Sequence, residues 1–131
     1  MALRVGIDLA SVELVRDAIE THGDRYLARV YTPRELQDCA TGTDGRPEPE
    51  RLAARFAAKE AALKVLRPGE VGLALTAIEV IRDAEGAVEL KLHGPAASLA
   101  GAAGITELTL SMTHEDGLAA AVVVASCARQ T

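Results

Sequence analysis

One long helical segment, from about Pro49 to Leu66, constrains the fold of this chain more than any other feature. The segment is rich in Ala, Leu, Arg, Lys and Glu, and Pro68-Gly69 ends it. Far upstream, residues 3 to 9 alternate apolar side chains with other residues, which is the period of a strand. The alternation predicts that one face of this strand lies in the core, formed by Leu3, Val5, Ile7 and Leu9.

Short helices and one loop are predicted between these two segments. Ser11 is a suitable N-cap for a helix that stops at Gly23. Thr32 begins another helix, with Pro33 at its first position and Glu35 at its third. Residues 41 to 49 contain the densest turn-forming sequence of the chain, so we expect a mobile surface loop there.

The second half of the chain predicts mainly strands. Residues 77 to 83 and 87 to 92 flank a short turn and predict a hairpin, and residues 94 to 103 predict a small Ala-rich helix. Residues 106 to 113 alternate, whereas residues 118 to 125 are apolar on both faces and predict a central, buried strand. We expect one α+β domain over residues 1 to 131, with the long helix packed on a largely antiparallel sheet.

Composition limits the classes of function. The chain has 14 Lys and Arg against 19 Asp and Glu, and this net charge of −5 argues against nonspecific binding to nucleic acid or an anionic membrane. It contains no apolar run long enough to span a bilayer and opens without an export signal, so we expect a soluble cytoplasmic protein. The spacing of Cys39 and Cys127 favours core packing over a zinc site or a disulfide framework.

The long helix carries basic residues where apolar ones are expected. At about 100° per residue, Lys59 falls inside the apolar arc formed by Leu52, Phe56, Leu63 and Leu66. A lysine in that position needs either an anion or a route for its ammonium group to reach water. Arg51, Arg55 and Lys59 also follow one another at i, i+4 spacing, where a bound phosphate would relieve their mutual repulsion.

Two carboxylates on different elements suggest a metal site. Asp8 ends the first predicted strand, and Glu60 lies on the long helix. Two carboxylates beside basic residues suit Mg²⁺ when phosphate oxygens and waters complete its octahedral shell. Structural roles also explain these residues, because Asp8 could cap a helix and Glu60 could form a surface ion pair with Lys64. The residues alone therefore indicate only a candidate phosphate and magnesium site.

A polar cluster ends one of the late strands. Thr109, Ser111 and Thr113 place three hydroxyl groups on one strand face, and His114 follows at the turn. Ordinary alternation of polar residues toward solvent explains the hydroxyl groups, and a turn histidine can simply be solvated. The cluster adds no chemical function by itself.

Three motifs, read in order, resemble those of the holo-acyl-carrier-protein synthases, a family of small phosphopantetheinyl transferases. They are Gly6-Ile7-Asp8, Arg55-Phe56-Ala57-Ala58-Lys59-Glu60-Ala61 and Ser111-Met112-Thr113-His114. The resemblance implies the phosphopantetheinyl transferase fold and Mg²⁺-dependent transfer of the phosphopantetheine arm of coenzyme A to a serine of an apo acyl carrier protein. Adenosine 3′,5′-bisphosphate would be released. Fatty acid biosynthesis is the expected setting, with polyketide or other synthesis left open.

The resemblance also implies roles for individual residues. Asp8 and Glu60 would hold Mg²⁺ with the coenzyme A pyrophosphate, and Lys64 would steady that pyrophosphate. Arg55 and His114 would contact the 3′-phosphate. The implied cofactor-binding residues are Arg55, Lys59, Lys64, Ser111, Thr113 and His114. The general base stays open between Glu60, a metal-bound water and a carboxylate such as Glu35.

Assembly and carrier binding complete what the resemblance implies. Family members of this size form trimers with sites between subunits, so Asp8 and Glu60 would face His114 of another chain. The implied carrier-binding residues are Arg16, Arg25, Tyr26 and Arg29, a local basic patch suited to an acidic partner. Leu14 departs from the family pattern, because many members have an arginine at this position.

Two other hypotheses stay open at this stage. The chain could be a noncatalytic assembly subunit of the same fold that binds coenzyme A or a carrier. The departure from the family pattern at Leu14 suggests this hypothesis. It could also be a structural trimeric module in which the basic residues of the long helix only form ion pairs.

Overall fold

One long helix packs against two antiparallel sheets in the computed structural model, which describes residues 1 to 128. In chain order the elements are β1 (Ala2–Ser11), α1 (Val12–His22), α2 (Asp24–Val30), α3 (Pro33–Cys39), α4 (Pro49–Leu66), β2 (Ile78–Arg82), β3 (Val88–Leu92), α5 (Pro95–Ala102), β4 (Ile105–Glu115) and β5 (Leu118–Cys127). Two short 3₁₀ turns, Gly69–Val71 and Leu75–Ala77, connect α4 to β2. The predicted α+β architecture is confirmed.

The larger sheet has the strand order β1-β5-β4, and the smaller sheet is the predicted hairpin of β2 and β3. In the larger sheet Asp8 lies opposite Ala121, and Ala121 lies opposite Met112. The prediction that β5 is the central strand is confirmed. Because paired residues share a face, this register decides which side chains of the three strands meet α4.

Local sequence explains where the helices begin. Leu14 N–H donates to the Ser11 side chain, which is the N-cap of α1, and Thr32 forms a capping box with Glu35 at the start of α3. The long helix α4 has the predicted bounds, with Pro49 in its first turn and a left-handed Arg67 as its C-cap. Residues 40 to 48 connect α3 to α4 through turns and extended backbone, so the loop begins and ends one residue before the predicted range of 41 to 49.

The face of β1 that was predicted to lie in the core is exposed. Its four large apolar side chains are between 63% and 69% exposed, and they are Leu3, Val5, Ile7 and Leu9. The opposite face, which carries Gly6 and Asp8, packs against α4. A Cβ atom at Gly6 would collide with the Ala61 carbonyl oxygen and lie 3.1 Å from Lys64 Cβ, so the helix approaches where β1 has no side chain. Asp8 also lies inside the strand rather than at its end, since β1 continues to Ser11.

The central strand β5 is buried on one face only. Ala119, Ala121, Val123 and Ala125 are buried beneath α4, whereas the residues that alternate with them are half-buried. The prediction of burial on both faces is therefore wrong for a single chain. The outward face of β5 continues that of β1, because Val124 lies opposite Val5 and Val122 lies opposite Ile7. We call this surface the apolar sheet face; it consists of Leu3, Val5, Ile7, Leu9, Val122 and Val124.

The remaining expectations concern the cysteines and the membrane. Cys39 and Cys127 are free thiols buried in the core, as predicted. Burial raises the pKa of the Cys39 thiol to about 11. Within residues 1 to 128, every helix is too short or too polar to cross a membrane.

Candidate active site

The first part of the site lies where β1 crosses α4. The Lys64 ammonium group donates to the Ile7 carbonyl at 2.6 Å and lies 3.4 Å from Asp8 Oδ1. Glu60 and Lys64 are one helical turn apart and lie on the same side of α4. The close approach at Gly6 therefore brings three of the predicted site residues, Asp8, Glu60 and Lys64, to one place.

The nearby Asp8 carboxylate affects the ionisation of Glu60. Partial burial and the Asp8 carboxylate raise the pKa of Glu60 above its ordinary value, and the Lys64 ammonium group opposes that rise. Two carboxylates from different elements form a hard oxygen donor set that fits Mg²⁺ and that leaves most of its six ligands to other molecules. Within residues 1 to 128, no group of three or more His, Cys, Asp or Glu side chains could hold a metal ion. Further ligands would therefore be phosphate oxygens and water.

A second, basic pocket lies between α4, the β2-β3 hairpin and the end of β4. Its lining residues are Arg51, Ala54, Arg55, Arg82, Gly86, Val88, Met112, Thr113 and His114. Arg55 is only 3% exposed, and its Nη1 donates to the Arg51 carbonyl at 3.3 Å. Among the described residues, nothing accepts a hydrogen bond from the buried Nε of Arg55. A buried donor without an acceptor is costly, so this pocket suits an anion such as a phosphate.

The basic pocket brings Arg55 and His114 of one chain together, whereas the resemblance implied that His114 of another chain faces Asp8 and Glu60. The pocket also contains Arg82, which sequence reasoning missed, and Arg51, which was noted only for its spacing. The Arg82 guanidinium folds over the hairpin turn, with Nη2 3.6 Å from the position of a Cβ atom at Gly86. The packing of the hairpin against α4 places Arg82 in the same pocket as Arg55, so local sequence carries no signal for this arrangement.

The prediction that Lys59 lines a phosphate site is wrong. Lys59 is fully buried, and its ammonium group lies 2.7 Å from Glu35 Oε1, 2.9 Å from the Leu75 carbonyl and 2.5 Å from the Ile78 carbonyl. The anion expected beside Lys59 is the Glu35 carboxylate of α3 in the same chain. Burial lowers the pKa of Lys59, and the Glu35 carboxylate opposes that shift.

Glu35 is likewise unavailable as a general base. It is fully buried, its Oε1 accepts from Thr32 N–H at 2.9 Å and its Oε2 accepts from Val80 N–H at 2.9 Å. With both oxygens occupied inside the core, this carboxylate cannot reach a serine on another protein. Two of the three candidate bases are left, Glu60 and a metal-bound water.

Ser111 and Thr113 lie apart from Asp8. They alternate with Met112, which shares the α4 side of the sheet with Asp8, so the two hydroxyl groups lie on the opposite face. There Ser111 is level with Val122 and Ile7 of the apolar sheet face. Within one chain these hydroxyl groups cannot join the site of Asp8 and Glu60, although Thr113 also lines the basic pocket.

Three of the four predicted carrier-binding residues lie together, and Arg16 lies apart from them. Arg25, Tyr26 and Arg29 line a single small pocket together with His22. Arg16 points elsewhere and forms an ion pair of 3.5 Å with Glu50, in which both side chains are about half exposed. The exposed Leu14 lines an adjoining apolar groove that shares Tyr26 with the basic group.

The sequence matches known proteins over nearly its full length. A family model described as "ACPS: 4'-phosphopantetheinyl transferase superfamily" matches residues 4–123. A holo-[acyl-carrier-protein] synthase of Chloroflexus aurantiacus is 44% identical, over 92% of this chain and 95% of that protein. Another, from Koribacter versatilis, is 38% identical, over 95% of this chain and 98% of that protein.

Solved structures share the fold. The "ACPS-CoA complex" of Chronobacterium ammoniagenes superposes with a TM-score of 0.84 at 29% identity, covering 98% of this chain and 100% of that one. The holo-[acyl-carrier-protein] synthase of Helicobacter pylori in complex with coenzyme A gives a TM-score of 0.80 at 27% identity, covering 94% and 100%. The range matched by the family model includes Asp8, Arg55, Glu60, Lys64 and His114.

Proposed function

This chain belongs to the 4′-phosphopantetheinyl transferase superfamily, and we infer that it is a holo-[acyl-carrier-protein] synthase. It transfers the 4′-phosphopantetheine group of coenzyme A to a serine of an apo acyl carrier protein and releases adenosine 3′,5′-bisphosphate. The observation that carries this function is the pairing of Asp8 with Glu60 beside Lys64, together with a basic pocket in which the buried Arg55 Nε has no acceptor within residues 1 to 128.

Mg²⁺ is proposed as the metal, with Asp8 and Glu60 as its protein ligands. When bound, the ion would neutralise the coenzyme A pyrophosphate. Support comes from the donor set itself, since partial burial and then the Asp8 charge raise the pKa of Glu60, and a cation would offset both. Lys64 is proposed to bind the pyrophosphate, because its ammonium group is half exposed and has three N–H donors, so one can reach an incoming anion while the contacts to the Ile7 carbonyl and Asp8 are kept.

Recognition of the nucleotide is assigned to the basic pocket. Arg55 and His114 would bind the 3′-phosphate, and the two further arginines of the pocket, Arg51 and Arg82, would add to its positive charge. The Arg55 Nε, which has no acceptor in the described part of the chain, supports this assignment, because a phosphate oxygen would accept its hydrogen bond. The serine proton would pass to Glu60 or to a metal-bound water.

A homotrimer with sites between subunits is proposed as the assembly. The apolar sheet face supports it, because four large side chains of β1 that are more than 60% exposed form a continuous patch that a monomer rarely leaves in water. Ser111 lies beside this face, so it could join the site of Asp8 and Glu60 only across an interface with another copy, whereas Thr113 also lines the basic pocket of its own chain.

The carrier is proposed to dock on α1 and α2. Arg25 and Arg29 offer positive charge to an acidic protein, and the apolar groove around Leu14 adjoins them through Tyr26. Arg16 would join this surface only by leaving its ion pair with Glu50. The proposed place of action is the cytoplasm, in fatty acid biosynthesis, and the chain is proposed to form one domain with a mobile loop at residues 41 to 48.

Intact-mass analysis tests the function directly. An apo acyl carrier protein is incubated with this protein, coenzyme A and Mg²⁺, with a chelator as control. The carrier should gain the mass of phosphopantetheine, and the chelator should prevent that gain. Coenzyme A binding without product across a broad panel of carriers would overturn this function in favour of a noncatalytic assembly subunit.

A further inference from the structure

We propose that Lys59 is a positioning residue whose buried ammonium group fixes the rotation of α4 about its axis and so holds Glu60 opposite Asp8. The inference rests on the proposed function, since it assigns Lys59 a part in assembling the metal site. Lys59 precedes Glu60 in the chain, so the two side chains leave the helix about 100° apart. Contacts that fix the direction of the Lys59 side chain therefore also fix the direction in which Glu60 leaves the helix.

The ammonium group of Lys59 is held from three directions. Its acceptors are the Glu35 carboxylate of α3, the Leu75 carbonyl of a 3₁₀ turn and the Ile78 carbonyl at the start of β2. An ammonium group has three N–H donors, so each has an acceptor here. Hydrogen bonds are directional, and three of them from separate segments oppose turning of α4 either way.

The Glu35 carboxylate is itself immobile. It accepts N–H hydrogen bonds from Thr32 at the start of α3 and from Val80 in β2, each at 2.9 Å. Thr32 continues the network by donating its hydroxyl group to Glu79, and His93 lies 3.0 Å from the other Glu79 oxygen. The anchor of Lys59 is therefore part of a network that joins α3 to the hairpin.

The middle of α4 offers little besides Lys59 that would set its rotation, since the hydrogen bonds of Leu52, Lys64 and Val65 to other elements lie toward its two ends. Its buried surface consists largely of alanines, namely Ala53, Ala54, Ala57, Ala58, Ala61 and Ala62. Methyl groups form shallow ridges and interact without a preferred direction, so they specify a helix orientation weakly. Larger buried apolar side chains, Leu52, Val65 and Leu66, lie toward the two ends of the helix.

A small rotation of α4 would be enough to disrupt the metal site. A side-chain tip lies about 5 Å from the axis of a helix, so a 20° turn moves it by about 2 Å. That displacement is as long as a Mg²⁺–oxygen bond of about 2.1 Å, and Mg²⁺ requires near-ideal octahedral geometry. Loss of the Lys59 anchor would therefore weaken metal binding even in molecules that remain folded.

The experiment compares Lys59→Met with Leu52→Ala, a buried change in the same helix that leaves the anchor intact. We expect Lys59→Met to weaken Mn²⁺ binding, measured by electron paramagnetic resonance in the presence of coenzyme A, by at least tenfold. Its kcat should fall while its KM for coenzyme A stays within about twofold of wild type. Leu52→Ala should keep wild-type Mn²⁺ affinity, even where thermal melts show an equal loss of stability.

Glu35→Gln provides a second variant if Lys59→Met fails to fold. It neutralises the anchor but keeps its shape, and we expect a smaller weakening of Mn²⁺ binding in the same direction. The proposal is overturned if either folded variant binds Mn²⁺ like wild type, if Leu52→Ala weakens binding equally, or if the wild-type complex binds no Mn²⁺. A wild-type protein that binds Mn²⁺ but transfers nothing to any carrier contradicts the proposed function instead, and the Mn²⁺ comparison still decides the role of Lys59.

Discussion

The Lys64 ammonium group ties α4 to β1 at the candidate metal site, 2.6 Å from the Ile7 carbonyl oxygen and 3.4 Å from Asp8 Oδ1. Lys64 is half exposed, so these contacts lie at the mouth of the site rather than in the core. The same ammonium group partly offsets the repulsion between Asp8 and Glu60.

Asp8→Ala and Glu60→Ala should each abolish phosphopantetheine transfer, because each removes one of the two proposed metal ligands. The fold should survive, since both side chains lie at the edge of the core. The measurement is intact-mass analysis of the carrier, with circular dichroism as the control for folding. Unchanged turnover in either variant would exclude the assigned metal site.

Glu60→Gln should stabilise the metal-free protein at neutral pH. Burial and the Asp8 charge raise the pKa of Glu60 in the folded state, so the ionised group costs stability above that pKa. Below the ordinary carboxyl pKa of about 4.3, Glu60 is protonated in both states and the advantage of Gln should disappear. Urea denaturation of wild type and variant at pH 7 and pH 4 checks this sign. A variant less stable than wild type at pH 7 would show that the ionised Glu60 carboxylate does not destabilise the folded protein.

Lys59→Met should lower the free energy of unfolding by about 3–5 kcal/mol, because it leaves the Glu35 carboxylate charged and buried without its partner. Arg16→Ala is the contrasting control, since it breaks an exposed ion pair with Glu50 and should cost less than about 1 kcal/mol. Chemical denaturation measures both changes. Equal costs would mean that the buried pair contributes no more than the exposed one.

Gly6→Ala should destabilise the protein by about 1–3 kcal/mol or more and reduce transfer, because a Cβ atom there meets the Ala61 carbonyl oxygen. Gly101→Ala is the matched control, since Gly101 lies in α5 and a Cβ atom there meets open space. In a helix that control should be neutral or stabilising. Thermal unfolding and a transfer assay on both variants test whether close packing of β1 on α4 is required. Equal behaviour of the two variants would contradict it.

Arg82→Ala should weaken use of coenzyme A by about 10- to 100-fold, the effect of losing one hydrogen bond to a charged group. Turnover of dephospho-coenzyme A, which has no 3′-phosphate, should change little. Arg46→Ala, on the loop between α3 and α4, should leave both substrates unaffected. The ratio of kcat/KM for the two substrates is the measurement, and a parallel loss on both would remove Arg82 from recognition of the 3′-phosphate.

The sequence alone determined the elements and much of the candidate site. Helical periodicity and turn residues predict α4 with its observed bounds, and the hydrogen-bonding chemistry of Ser11, Thr32 and Glu35 predicts the helix starts. These features depend on neighbours within a few residues, so local physics decides them. Asp8 and Glu60 were identified as a candidate metal pair from their residue types, and the role of Lys64 from the resemblance of the motifs, although their spacing does not reveal how closely the three approach.

Tertiary structure alone decided which surfaces meet. Alternation in β1 marks two faces, but only the contact between Gly6 and Ala61 places α4 on the small-residue side and leaves Ile7 exposed. The ion pair between Lys59 and Glu35 also depends on the tertiary structure, because Glu35 belongs to another helix. Periodicity describes one element at a time, whereas close packing and the pairing of a buried charge depend on atoms that are distant in the chain.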